Sequence, residues 1–376
     1  MAYIHEQPDW PHFTWDSTAL SPRLSDLRFR QGEILGRMRA LGFAHRQEAN
    51  LGTLTDDVVK SSAIEGEALN AEEVRSSIAR HLGIEAGGLV PSSRAVDGIV
   101  EMLLDATRNF AQPLTQERLF AWHAALFPVG RSGLRRITVG AWRPETAGAM
   151  QVVSGPPGRE KIHFEAPSAD RLESEMARFL AWFNADLALD PVLKAGIAHF
   201  WFVTIHPFED GNGRIARAIA DMSLARADGS QERYYSMSAQ IEAERKDYYS
   251  RLEDQKHNGL DITPWLTWFL VCLRRALELA WVTLDAVHHR ATIWETANRR
   301  PLNERQQLVL NRMLEQGWEG HLTSTKYGKL AKCSADTALR DIRELLDAGV
   351  LVRNPGGGRS SSYRLPDRGE LAETER

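Results

Sequence analysis

The chain has 376 residues, with 46 Lys and Arg against 50 Asp and Glu, a formal net charge of −4. At 43% hydrophobic and 26% charged residues it reads as two or three globular domains, which excludes a long disordered chain and a polyanion binder acting by bulk charge. Two cysteines, Cys272 and Cys333, exclude a disulfide scaffold and suit a reducing compartment.

The start, MAYIHEQPDW, has neither a basic nor an apolar segment of a signal peptide, and the most apolar stretch ends at Arg274 after Trp265–Leu273. A spanning helix needs about 20 apolar residues, so a cytoplasmic protein with no membrane partner is expected. Apolar spacing predicts a helix after Ser21-Pro22, carrying Ile34, Leu35, Met38 and Leu41. Asn70 with Glu73 has the form of a capping box opening a helix over Ala71–His81. Further helices are expected near 95–109, 114–126, 169–184, 191–204, 213–227, 240–256 and 261–295. Gln151–Val153 and Lys161–Phe164 flank Ser154-Gly155-Pro156-Pro157-Gly158, which predicts a β-hairpin in an otherwise all-α region. Pro301 interrupts the helical pattern and marks a linker at 296–303.

Beyond it, helices at Glu304–Glu315, Tyr327–Ala331 and Ala335–Ala348 precede two short strands, Val350–Val352 and Ser361–Leu365, around a Gly-rich tip. That order predicts a winged helix-turn-helix over 304–366. From Pro301 to Pro366 ten basic residues face seven acidic ones. Ser334, Thr337 and Arg340 would head the recognition helix and Arg359 the wing tip, a weak footprint for DNA, which is the less favoured partner. Residues 367–376 form a polar tail.

The most informative stretch is His206-Pro207-Phe208-Glu209-Asp210-Gly211-Asn212-Gly213-Arg214-Ile215-Ala216-Arg217. Pro207 ends an apolar helix and leaves His206 at a helix-to-loop boundary, where it is a candidate general base. A glycine-rich loop feeding a helix presents free N–H groups to an anion, and Arg214 and Arg217 share one face of that helix. Two guanidinium groups beside such a nest suit a polyphosphate, and Asp210 offers a hard oxygen to Mg²⁺. Singly, each part has an ordinary structural explanation; a nucleotide-phosphate site is what needs all of them together.

This string resembles the signature of the Fic (Fic/Doc) family, H-P-F-x-[D/E]-G-N-G-R-x-x-R, and matches it at every fixed position. The resemblance implies a mainly α fold: a Fic helical core with a β-hairpin flap, here followed by the winged helix. It implies a protein adenylyltransferase moving AMP from ATP to a Ser, Thr or Tyr hydroxyl of a protein, which includes the chain itself as a target, and releasing pyrophosphate. His206 would be the base, Asp210 the Mg²⁺ ligand, and Phe208 the anchor of the loop. Gly211, Asn212 and Gly213 would form the anion hole, and Arg214 and Arg217 would clamp the β- and γ-phosphates. Ser61-Ser62-Ala63-Ile64-Glu65-Gly66 is similar to the family's inhibitory motif, [S/T]-x-x-x-E-[G/N], in which Ser61 and Glu65 share a helix face and Glu65 would hold Arg217. Its plain alternative is a helix end capped by Gly66. The hairpin matches the family's flap, with Lys161, Ile162 and His163 lining the site and an open edge for a target strand. Tyr249 would contact adenine, with Gln255 and Lys256 standing where some relatives have an Asn.

The chain is thus expected to comprise a helical leader at 1–110 carrying the inhibitory helix, a Fic core at 111–295, the linker, the winged helix and the tail. Two further functions stay open: removal of AMP from a modified protein by the same site, and an ATP-sensing DNA-binding regulator. A homodimer is a further possibility.

Overall fold

The computed structural model describes residues 3–40, 42–84, 88–154, 161–314, 318, 320–355, 361–367 and 370. The chain divides into two compact units, Met1–Trp281 and Val282–Arg376. The first unit is helical: α1 (Ser17–Ala40), α2 (Phe43–Ile64), α3 (Ala71–Leu82), α4 (Arg94–Arg108), α5 (Gln116–Leu126), α6 (Leu172–Asn184), α7 (Pro191–Ile205), α8 (Asn212–Asp228), α9 (Met237–Ala243) and α10 (Arg245–His257). The unit boundary falls within α11 (Thr263–Ala297).

At its centre α7 is apolar on all sides and buried from Val192 to Ile205 except at Lys194. A helix with no polar face must be surrounded, and α8 and α6 pack on it, with Trp265 and Phe269 of α11 close by. α8 is itself buried along most of its length, between α7, α4 and the last turns of α2. The six-residue loop 206–211 that joins α7 to α8 therefore opens from the middle of the core.

Polar groups fix α2 against α8. The loop after α8 carries Arg233, 1% exposed, which reaches Asp221 of α8 at 3.0 Å and Asp228 at 3.4 Å. Its backbone N–H donates to Asn50 of α2 at 2.7 Å, Ser236 donates to Asp57 of α2, and Gln31 of α1 donates to Asp228 at 3.0 Å. Burial, with Asp57 alongside, pushes the Asp221 carboxyl well above the usual range. This strap sets the register that brings Ser61 opposite Arg217.

Two antiparallel hairpins complete the unit. The expected one is β3 (Gln151–Ser154) with β4 (Lys161–Glu165), paired Gln151 to Glu165 and Ser154 to Lys161 with a bulge after Val152. Its tip, including Gly155–Gly158, lies outside the described residues. The other, β1 (Arg131–Ser132) with β2 (Arg135–Arg136), is not announced by any alternating apolar pattern.

Several expected boundaries shift. α1 starts at Ser17 and contains Pro22, because Asp16 caps it by accepting the N–H groups of Thr18 and Ala19. The proline there forfeits one intrahelical bond, to the exposed Thr18. Asn70 caps α3 as expected, accepting from Glu72 and Glu73, but Glu73 turns to the N–H of Ser93 instead of closing the box. The single helix expected over 240–256 is two helices that break at Glu244.

In the second unit, α12 (Glu304–Leu314), β5 (Leu322–Thr323), α13 (Ser324–Ala331), α14 (Ala335–Asp347), β6 (Val352–Arg353) and β7 (Ser362–Arg364) enclose a core of Val309, Leu310, Tyr327, Ile342 and Leu345. The strands form one antiparallel sheet in the order β5-β7-β6. Ser334 caps α14 through the N–H of Thr337. Arg359 lies outside the described residues, as do most of 367–376. Among the described residues, no helix is long and apolar enough to cross a membrane.

Candidate active site

His206 closes α7 in the left-handed region, φ 52° and ψ 59°. Its Nδ1–H donates to the carbonyl of Val203 at 3.2 Å, which leaves the lone pair on Nε2. Burial, reinforced by the Lys256 cation, pushes the imidazole down to about 3, so it is neutral at physiological pH. Arg143, 2% exposed, fixes the backbone here: its Nε donates to His206 O at 2.9 Å, its N–H to Pro207 O at 2.9 Å, and its Nη2 to Pro167 O.

Phe208 is fully buried and stacks on His123, ring centroids 4.2 Å apart. His123 accepts the Gly140 N–H at Nδ1 and so donates from Nε2 to Asp210 O. Burial takes this ring down to about 4, against the opposing pull of the Asp210 carbonyl and carboxylate. The Asn212 side chain is committed to the loop itself, accepting the Phe208 N–H at 3.0 Å and donating to Phe208 O at 2.8 Å. It braces the loop, beside the backbone N–H groups at the start of α8. Asp210 accepts Gly211 N–H at 2.6 Å and the Ser132 hydroxyl, while Glu209 accepts Thr138 N–H at 2.7 Å and pairs with Arg135 at 2.9 Å. The motif's two acids therefore pin the β1–β2 hairpin over the loop.

Arg214 and Arg217 are each 3% exposed on α8. Arg217 donates from Nε to Ser61 Oγ and from Nη2 to Ser61 O and Glu65 Oε1, all at 2.8 Å. Glu65 lies so close to the first turn of α8 that a Cβ on Gly213 would stand 2.1 Å from its Oε1. A side chain at 213 would push the Glu65 carboxylate off its place beside Arg217. The loop turns through positive φ at both ends, at His206 (52°) and at Gly211 (81°).

Glu65 is also the C-cap of α2. Gly66 takes φ 84°, Gly66 N–H bonds Ala63 O, and Glu67 N–H bonds Ser62 O, both at 3.0 Å. This is a Schellman ending, and it needs a residue tolerant of the left-handed region at 66. Helix end and arginine partner are the same feature in the structure. The ending also turns Glu67 toward α8, where its Oε2 meets Arg214 Nη1 at 2.7 Å. Among the described residues, Arg214 Nε and Arg217 Nη1 are buried N–H groups with no hydrogen-bond partner.

Comparison with known proteins agrees with this geometry. Residues 113–224 match the Fic/DOC family, and residues 3–84 match a domain of unknown function (DUF4172). "Protein adenylyltransferase Fic" of Culex quinquefasciatus is 36% identical over 125 residues, 32% of this chain and 23% of that protein. Its namesake in Drosophila virilis is 33% identical over 135 residues, 35% of this chain and 26% of that protein. Residues 113–224 are a Fic domain. The chain spans about a quarter of the length of these curated relatives. A Fic family protein of Desulfovibrio desulfuricans G20 shares the fold, with a TM-score of 0.53 at 22% identity over 93% of this chain and 97% of that one.

Around the Fic domain the outer expectations fare unevenly. Ile162 is 49% exposed; His163 Nδ1 lies 2.8 Å from Glu253; the side chain of Lys161 lies outside the described residues. The carbonyls of His163 and Glu165 are taken by the His257 and His5 rings at 3.0 and 2.8 Å, so the outer edge of β4 is closed at both. Tyr249 donates its hydroxyl to Ile64 O at 3.2 Å, on the end of α2. Gln255 braces the following turn through Gly259 O and Asp261 O. Lys256, 4% exposed, holds its ammonium 4.1 Å over the Phe164 ring, and burial lowers it to about 7. His123, Ser132 and Arg143 escape sequence reasoning because each is a lone residue far from the motif in the chain. Glu67 does not have that excuse: it stands two residues after Glu65.

Proposed function

We propose that the first unit is a protein adenylyltransferase restrained by the end of its own helix α2. The observation that carries this reading is the pairing of a neutral His206, lone pair on Nε2, with two buried arginines whose remaining N–H groups await an anion. His206 Nε2 takes the proton of a protein hydroxyl, whose oxygen attacks the α-phosphorus of ATP. The bond from that phosphorus to the bridging oxygen breaks, and pyrophosphate leaves with the electron pair. Arg214, Arg217 and the N–H groups of the first turn of α8 hold the phosphates, so catalysis rests on positioning and charge. Asp210 fits Mg²⁺ as a single hard ligand. Asp210 would hold the ion as its protein ligand; among the described residues no group of three or more His, Cys, Asp or Glu is placed to hold one. Bound there, the ion neutralises phosphate charge.

Restraint follows from the Arg217 contacts. Glu65 and Ser61 fill the fork that a γ-phosphate needs. Tyr249, the expected adenine contact, supports the same helix end, which couples the base pocket to α2. The β3–β4 hairpin, read as the flap, would then take a target strand on the edge of β3. For the second unit, three helices with sheet order β5-β7-β6 support a winged helix. The test is label transfer from α-labelled ATP to the chain itself. Wild type should label weakly, Glu65→Gly strongly, and Glu65→Gly with His206→Ala not at all. Labelling that survives loss of His206 overturns the mechanism, and label release from pre-modified chain would reveal the reverse reaction.

A further inference from the structure

Arg217 is only one of two clamps, and the second is also filled. Arg214, 3% exposed, meets Glu67 Oε2 at 2.7 Å. Its Nη2 is 4.0 Å from Asp210 Oδ1, its guanidinium lies 5.2 Å from the Phe127 ring centroid, and its Nε has no hydrogen-bond partner. The Schellman ending makes this possible: the left-handed Gly66 folds the chain back, and Glu67 N–H bonds Ser62 O. Glu65 and Glu67, two residues apart, are thereby delivered to two arginines one turn apart on α8. Each carboxylate sits where the proposed function puts a phosphate oxygen.

We infer that Glu67 is a second inhibitory carboxylate, which closes the Arg214 clamp independently of Glu65 on Arg217. The resting site then discriminates by phosphate-chain length. A nucleoside monophosphate needs neither arginine and binds as well with both carboxylates in place as without them. A triphosphate must displace both. The inference rests on the adenylyltransferase reading, and it makes restraint a two-step property: opening Glu65 alone leaves the chain half closed. Glu67 is the more exposed of the two carboxylates, 46% against 29%, so its lock is the weaker.

The test is calorimetric titration of the full chain with ATP and, separately, AMP, for wild type, Glu65→Gly, Glu67→Gln, Glu67→Ala and the double variant Glu65→Gly with Glu67→Ala. Glu67→Ala should tighten ATP about three- to tenfold, Glu67→Gln less, and the double variant should exceed Glu65→Gly by the same factor. AMP affinity should move less than about twofold throughout, whereas a disturbance of the fold would shift both ligands. The inference is overturned if the Glu67 variants bind ATP as their parents do, or more weakly, while Glu65→Gly still gains. If no variant binds either nucleotide, the adenylyltransferase reading fails and takes the inference with it.

Discussion

Replacing Glu65 by glycine is the sharpest test of restraint, and the structure sets its size. The Arg217 fork makes three contacts at 2.8 Å, two to Ser61 and one to Glu65. The substitution removes one charge-assisted hydrogen bond, worth about 1.5–3 kcal/mol when buried. With Glu65 29% exposed and Ser61 retained, the lower end applies. At about 1.4 kcal/mol per factor of ten, initial-rate AMP transfer at limiting ATP should rise about tenfold. The same change clears the space over Gly213 that Glu65 Oε1 fills. The measurement compares wild type, Glu65→Gly, Glu65→Gln, Arg217→Ala and the pair Glu65→Gly with Arg217→Ala. Glu65→Gln keeps the side-chain length and should recover part of the gain through loss of charge. In the pair the gain should vanish, because the freed guanidinium is gone. A Glu65→Gly chain no faster than wild type would refute restraint by this contact and leave 61–67 an ordinary helix end.

Asp210→Ala should weaken Mg²⁺-dependent ATP binding in a titration with and without the metal, while Glu209→Gln should act through heat stability, because Glu209 holds Thr138 and Arg135; equal metal effects would undo the assignment. With His206 at about 3, transfer by Glu65→Gly should change little between pH 8 and 5, where a base of pKa 6.5 would lose about thirtyfold. A steep loss centred near 6.5 would contradict the buried neutral ring. Lys256 is lowered from 10.5 to about 7, so the unfolded chain binds more protons between those values and this group's contribution to stability rises with pH there. Lys256→Met should therefore raise the melting temperature of the first unit more at pH 6.5 than at pH 10.5, and the reverse order would reject it.

Local rules carried sequence reasoning a long way here. The apolar run of α7, the stop at Pro207 and the helix after Gly211 are each dictated by neighbours in the chain, so the loop was legible with its base and its arginines. Ser61 and Glu65 were legible through spacing. What was not legible depends on distant partners. β1 and β2 exist because Glu209 and Asp210, more than 70 residues away, hold the hairpin by Arg135, Thr138 and Ser132. The brace that Asn212 forms was not legible, since nothing in the motif tells that Phe208 offers it both an N–H and a carbonyl. Arg143 is invisible for the same reason: its partners are carbonyls, which every residue has.

The Arg233 strap has a consequence for how such a switch can move. Lifting α2 bodily from α8 would take Asn50 and Asp57 away from the Arg233 N–H, the Ser236 hydroxyl and the Ser238 N–H that they hold, at about 1–3 kcal/mol for each buried group left unpaired, while Arg233 keeps Asp221 and Asp228. A hinge of the whole leader is therefore costlier than a local opening. The cheaper motion is fraying of the last turn, 61–67, which would free Arg217 and Arg214 and leave the Asn50 and Asp57 contacts in place. Such an opening belongs to the local fluctuations of helix ends.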